Sequence, residues 1–532
     1  MNALSRRDAL IGAGIGAGVG LATLATPAWA QTMAGDEVDR IVTGFMQAFQ
    51  VPGIAVTIVR PGQPVLARGY GVRELGRPGR VDADTQFAIA SNSKAFLAAG
   101  IAMLIEEGKL GWDVPVVRYM PDFATSDADV TRLMTVRDLL CHRSGLPLGA
   151  GDLMQFPVSD HSRADIVHGL KYLPFERGFR TGYAYDNILY VVAGVLVERI
   201  SGLSFEEFMT RRLLRPLGMR MDMAKVMANP ASLKGTNVAA RHARLGPPAR
   251  GIGAVQVVEP DEGTAGSPAG GILSSATEIA VWLRTQMAHG VTPDGRRLWS
   301  DANAAEMWTP QVITNTGTGP SPDDPGRSVL QAYALGWFVG DYRGHRLISH
   351  SGGLSGQITQ TAMLPEQGIG VAVFTNIEDR LSAQLRSALL DVALGVPTFD
   401  WLAATRRIRA KNEAELRAAA GTGDFTVPPG GPSLPLTAYA GRYRDPWYGD
   451  VVVRATGDKL AIDFTRTPVF KSVLEPFGPD SWRTRFAPGA GEDAVVAFVI
   501  EDGKPTRLKL RALSPLADFS YDFQHLTPVR VS

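Results

Sequence analysis

The sequence predicts an α/β protein: an antiparallel sheet flanked by helices and interrupted by a mostly helical insertion, then a small antiparallel β domain. Three observations predict it. Two β-rich runs near the start, residues 53–59 and 65–70, are answered only beyond residue 330, by residues 333–339, 346–350, 360–364 and 370–374. Between about 110 and 260 the composition is helical and loopy instead. Beyond residues 421–435, which hold four glycines and four prolines, the apolar pattern changes to period two.

The 532 residues suffice for two to four domains, and 45% hydrophobic with 20% charged residues is an ordinary globular composition. A net charge of +1 without a basic tract makes nucleic acid an unexpected partner. A lone cysteine, Cys141, forbids an intrachain disulfide and a thiolate cluster. The eight histidines are scattered without His-Glu-x-x-His, so neither a metal nor any other cofactor is expected.

Residues 1–30 read as an export signal. Arg6 and Arg7 are paired, the run from Ala9 is uncharged, and Ala28-Trp29-Ala30 offers a small-x-small cleavage site. The pair and the weakly apolar core are similar to a twin-arginine signal, although Ala9 stands where a large apolar residue is usual. Five glycines between Gly12 and Gly20 suit a membrane-spanning helix poorly. A periplasmic location with no stable membrane anchor after cleavage is the expectation.

The next unit, residues 31–420, opens with a helix over 36–49 and a hairpin of 53–59 and 65–70 turning at Arg60-Pro61-Gly62-Gln63-Pro64. A helix follows from Ala95, with Phe96, Ala99, Met103 and Leu97, Ile101, Leu104 at helical spacing. Further helical signals stand at 135–140 and 188–200, and two helical runs, 381–395 and 399–420, close the unit. A linker of 421–436 leads to the β domain, 437–532, with strand patterns at 450–454, 459–463, 494–499 and 507–511. This tail shows no nucleophile or ligand cluster, which makes it dispensable for the chemistry.

The chemistry centres on Ser91-Asn92-Ser93-Lys94 at the start of the Ala95 helix. Lys94, one turn on, shares a face with Ser91, and its amine can take the serine proton if burial lowers its pKa. Alone, the tetrapeptide equally describes a capping serine and a solvated lysine. Tyr183-Ala184-Tyr185-Asp186-Asn187 precedes the 188–200 helix. Tyr185 there is a candidate proton shuttle if its pKa is lowered, and Asn187 can orient a lysine, while capping and packing would also account for both. His350-Ser351-Gly352-Gly353 ends a β run, with Gly352 giving a substrate close access to the backbone and the Gly353 amide a candidate oxyanion donor. Ser267-Pro268-Ala269-Gly270-Gly271 reads as structural, a tight turn before a capped helix.

In this order the stretches resemble the serine β-lactamase-like, or penicillin-recognising, superfamily, which includes class C β-lactamases, D-Ala-D-Ala carboxypeptidases, D-aminopeptidases and esterases. Ser91 and Lys94 match its Ser-x-x-Lys, Tyr185 and Asn187 its Tyr-x-Asn, and His350-Ser351-Gly352 its Lys/His-Thr/Ser-Gly. Supporting stretches are Gly108-Lys109-Leu110, Thr135-Val136-Arg137-Asp138-Leu139-Leu140-Cys141-His142-Arg143-Ser144-Gly145-Leu146, Arg215-Pro216-Leu217-Gly218-Met219 and Pro268-Ala269-Gly270-Gly271. The resemblance spans about residues 35–395 and implies a β-lactamase/transpeptidase-like fold; the tail resembles the lipocalin-like domain of some members.

It further implies an acyl-enzyme on Ser91, a proton relay through Lys94 and Tyr185, and an oxyanion hole from the amides of Ser91 and Gly353. Asn187, His350, Ser351 and Gly352 would bind and orient substrate. His350 replaces the lysine of penicillin-binding enzymes, and histidine is mostly neutral at pH 7. A peptidase or amidase acting on small linear or D-residue-containing peptides is therefore expected, with an esterase or weak β-lactamase as alternatives, and a catalytically silent sensor as the non-enzyme reading. Among the group's members is a bacterial peptidase that cleaves ring-opened microcystin, with the same general layout; no motif in this chain singles it out.

Overall fold

The strand Gly53–Val59 is buried at every position, and the sheet around it explains why. The computed structural model describes residues 28–246, 250–315, 319–379, 381–397, 399–421, 429–487, 489–514 and 517–531. In its eight-stranded sheet, Gly53–Val59 lies between Leu66–Gly71 and Ile369–Thr375. Gln357–Leu364, His345–Leu354, Phe338–Tyr342, Gln331–Tyr333 and Val312–Asn315 follow in that order, every pairing antiparallel. The first two strands thus join six from beyond residue 310 in one sheet.

Helices cover both faces. On one, Val38, Val42 and Phe45 of Ala28–Phe49 pack with Leu385 and Leu389 of Ser382–Leu394 in a core with Val56 and Val371. On the other, Ala276–Met287 lies against Gly53–Val59 and Ile369–Thr375, its start fixed by a reciprocal capping box of Ser275 and Glu278. The helix Ser93–Glu106 and, in the insertion, Ile188–Ser201 pack beyond it.

Several boundaries differ from the sequence reading. The first helix runs Ala28–Phe49, so Ala28, Trp29 and Ala30 open a helix, while residues 1–27 of the export-signal reading lie outside the described residues. The 135–140 signal yields only a 3-10 turn, Arg137–Leu140. The 333–339 run is broken by a turn in which the Ala334 amide donates to the Trp337 carbonyl. Gly336 there has φ +77°, and a Cβ on it would lie 2.8 Å from the Lys94 carbonyl oxygen. Only glycine combines that conformation with that approach.

The tail is a closed antiparallel barrel of eight strands, Gly441–Asp445, Gly449–Thr456, Lys459–Phe464, Lys471–Pro476, Ser481–Arg483, Ala494–Glu501, Lys504–Ala512 and Val529–Arg530. Four of them correspond to the period-two patterns. The other four include the two shortest, where alternation has too few residues to register. Residues 422–428 of the linker lie outside the described residues.

Candidate active site

Ser91 sits not in the α-helix but in a 3-10 turn, Ala90–Asn92, that feeds Ser93–Glu106. Ala90 holds φ +49°, unusual for a residue with a side chain. Asn92 fastens the turn: its amide donates to Thr359 Oγ1 at 2.8 Å, and its Oδ1 accepts from Thr361 Oγ1 at 2.6 Å. Both threonines belong to the strand Gln357–Leu364, so the Ser91 turn is tied to the central sheet.

The following helix is buried at every position from Ser93 to Leu104, apolar on all sides except for Ser93 and Lys94. Phe96 stacks on Trp282 with ring centroids 3.8 Å apart. Such a helix carries Lys94 out of water, and that burial lowers the ammonium pKa to about 7 against the opposing pull of Asp152 and Asp186. Lys94 Nζ lies 3.0 Å from Ser91 Oγ, 2.8 Å from Asn187 Oδ1 and 3.0 Å from the Ala269 carbonyl oxygen. The last two can only accept hydrogen bonds. A neutral Lys94 spends its two N–H bonds on them and turns its lone pair to the Ser91 hydroxyl.

The next stretch divides its labour. Asp186 is fully buried just before Ile188–Ser201, and burial holds its carboxyl well above the usual carboxylate range. Asn187 faces Lys94, and its Nδ2 donates to Asp152 Oδ2 at 2.8 Å, which fixes which end of the amide meets the lysine. The Tyr185 phenol lies near the Ser91 side chain, but its pKa is raised well above 10 by burial, not lowered. The Lys94 ammonium lies over the Tyr185 ring, 4.8 Å from the centroid, and burial outweighs its charge. His142, at φ +57°, packs its ring 4.1 Å from that of Tyr185 and accepts the Asp186 amide on Nδ1.

His350 lies beside this group but is buried, with both nitrogens engaged. Nδ1 faces the Ser351 carbonyl oxygen at 2.6 Å and must be the donor; Nε2 therefore accepts from the Tyr333 hydroxyl at 2.9 Å. Burial, with Lys94 nearby, lowers its pKa to about 3, so it supplies no charge at neutral pH or just below. On the same strand Ser351 and Gly353 are exposed while Gly352 is buried. A Cβ on Gly352 would lie 2.1 Å from the Ile89 carbonyl oxygen and 2.5 Å from Thr359 Oγ1. The glycine makes room for the Ser91 turn, not for a substrate, which corrects the sequence reading.

The beta-lactamase family model matches residues 38–394. The chain belongs to the beta-lactamase family. A second model, a domain of unknown function (DUF3471), matches residues 426–529. An unguisins hydrolase from Aspergillus violaceofuscus (strain CBS 115571) is 28% identical over 456 residues, 80% of this chain and 77% of that protein. Among solved structures, the octameric penicillin-binding protein homologue from Pyrococcus abyssi has a TM-score of 0.58 at 21% identity, covering 93% of this chain and 100% of its own. The D-amino acid amidase from Ochrobactrum anthropi SV3 has a TM-score of 0.54 at 21% identity, over 68% of this chain and 99% of its own. Both structures share the fold of this family member.

Two groups at the site escaped the sequence reading. The Ala269 carbonyl that binds Lys94 lies in the turn taken as purely structural. More unexpectedly, the barrel reaches the site from the connection between its last two strands. Ser520 Oγ donates to Asp152 Oδ2 at 2.8 Å, and the Phe519 ring meets that of Tyr185 edge-on, 5.8 Å between centroids. Asp522 accepts the amides of Gly151 and Leu153 at 2.8 and 3.0 Å. No signal in the sequence reveals this, since Phe519-Ser520-Tyr521-Asp522 is an unremarked loop tetrapeptide. The family's catalytic unit and the barrel together line a cavity of 2620 Å³ that includes Ser91, Tyr185, Ser351, Gly353 and Phe519. Among the described residues no three His, Cys, Asp or Glu side chains are grouped to hold a metal ion.

Proposed function

We propose that this member of the beta-lactamase family is a peptidase or amidase that forms an acyl-enzyme on Ser91 with Lys94 as its base. The observation that carries the reading is the buried Lys94 amine, 3.0 Å from Ser91 Oγ, with its other partners both acceptors. Ser91 Oγ attacks the carbonyl as its proton passes to Lys94. The leaving nitrogen takes a proton from the Tyr185 hydroxyl, which recovers one from the Lys94 ammonium. Water then attacks the ester, its proton returns through the same groups to Ser91, and the acid product departs. The amides of Ser91 and Gly353 hold the oxyanion, each contributing about 3 kcal/mol.

A short peptide is favoured as substrate by the size of the cavity, 2620 Å³, against about 300–1,000 Å³ for common small-ligand sites. The neutral His350 leaves that position without a cation for a β-lactam carboxylate, which favours amide or ester substrates. The similar unguisins hydrolase and the fold shared with a D-amino acid amidase agree with this class. Export to the periplasm, argued from the paired arginines, belongs to the same proposal.

Turnover of a panel of short L- and D-peptides, one ester and one cephalosporin, by wild type and Ser91→Ala, tests it. Peptide or amide hydrolysis that vanishes in Ser91→Ala is expected. Exclusive ester or cephalosporin turnover would overturn the substrate class, and stoichiometric labelling without turnover would mark a sensor.

A further inference from the structure

The barrel touches the catalytic group by a continuous chain of hydrogen bonds. Ser520 Oγ donates to Asp152 Oδ2 at 2.8 Å, Asn187 Nδ2 donates to that same oxygen at 2.8 Å, and Asn187 Oδ1 accepts from Lys94 Nζ at 2.8 Å. Asp152 Oδ1 accepts from Gln155 Nε2 at 2.9 Å. Asp152 is fully buried, and Ser520 is 9% exposed. Burial and the neighbouring Asp522 raise the Asp152 pKa to about 7 against the hydrogen bonds from Asn187, Ser520 and Gln155, which lower it, so each of these three donors matters to its ionisation.

We propose that Ser520, from the C-terminal barrel, is a positioning residue of the active site, acting through Asp152 and Asn187 to hold the Lys94 amine against Ser91. An amide can present either end. Only with Asp152 fixed as an acceptor does Asn187 turn its nitrogen away from Lys94 and its oxygen toward it. Gln155 and Asn187 from the catalytic unit, and Ser520 from the barrel, all donate to Asp152 and favour that state against the burial that raises its pKa to about 7. The barrel's Asp522 meanwhile anchors the backbone on both sides of Asp152, at Gly151 and Leu153. The domain beyond the linker is thus part of the catalytic apparatus, contrary to its apparent dispensability in the sequence.

The geometry has an electrostatic consequence. The charged and titratable groups facing Asp152 are Lys94 and Asp186 on the catalytic side, and Asp522 with its partner His525 on the barrel side. The Asp152 charge favours the Lys94 ammonium, whereas burial opposes it. Weakening the Asp152 carboxylate therefore moves Lys94 deprotonation to lower pH.

The inference rests on Ser91 as nucleophile and Lys94 as base. The experiment is the rate of Ser91 modification by an activated acyl ester, followed by intact mass across pH 5–9 in full-length wild type, Ser520→Ala and Asp152→Asn. Asp152→Asn is expected to slow acylation on the order of 10²-fold at its pH plateau, through misplacement of the amine. Ser520→Ala, which removes one of three donors, is expected to slow it about tenfold. In both, the acid limb should move to lower pH, a change that loosened domain packing alone would not produce. Wild-type rates with an unmoved limb in both variants would overturn the inference while leaving Ser91 as nucleophile. Loss of rate with an unmoved limb would also overturn it, reducing Ser520 to a packing contact. Failure of wild type to be modified at Ser91 would instead sink the reading beneath it.

Discussion

Lys94 owes its chemistry to the helix that carries it. A lysine on an amphipathic helix would keep its ordinary pKa; this one lies in a helix buried all round and loses its proton near pH 7. Acylation should therefore rise with pH through about 7 and fall tenfold per unit below it, as pH-dependent stopped-flow labelling would measure. Lys94→Arg keeps the charge but cannot release the proton, and should cost about 10²–10⁴-fold in acylation rate. His350 sits where a lysine would add a second cation beside Lys94. His350→Lys should improve reaction with a carboxylate-bearing cephalosporin and leave a neutral ester within about tenfold, or 1.4 kcal/mol. It should also shift the ester's acid limb to lower pH, because the added charge disfavours the Lys94 ammonium. Kinetics on the two substrates check both effects; joint loss of several orders of magnitude would place His350 in the proton path instead.

At the scale of elements, the Ser91 turn depends on how closely the strand His345–Leu354 approaches it. Gly352→Ala would drive a methyl group toward the Ile89 carbonyl, and should cost about 1–3 kcal/mol in denaturant unfolding along with most acylation. The sequence discloses much at this scale, since Ser91, Lys94, Tyr185 and Asn187 lie in local motifs attached to periodic helices, and the structure brings them together. What it conceals is set by distant contacts. Whether His350 is charged depends on burial and on the nearby Lys94, and whether Ala269 is structural or a lysine ligand depends on a carbonyl, which every residue has. Tyr185 illustrates a competition of effects: a nearby ammonium suggests a lowered pKa, but complete burial prevails and keeps the phenol protonated.

Across the whole molecule, one apolar core runs from the helical insertion into the barrel, joining Leu153 and Ile188 to Tyr443, Phe464 and Phe523. Arg466 of the barrel also pairs with Asp160 and Asp165. The linker marks a boundary along the chain that the packing does not keep, and long-range contacts of this kind have no sequence periodicity. Thermal unfolding should accordingly show one calorimetric transition, and Asp522→Ala, which strands the Gly151 and Leu153 amides, should cost on the order of 2–5 kcal/mol. Two well-separated transitions would show that the units are independent. The central claim, that a buried neutral lysine activates Ser91 within this assembled cleft, meets its most direct test in peptide mapping of the protein after reaction with an activated phosphonate at several pH values. The account predicts a single adduct, on Ser91, that forms faster as pH rises through about 7 and is absent in Ser91→Ala. An adduct on another serine, or one that persists in Ser91→Ala, would contradict it.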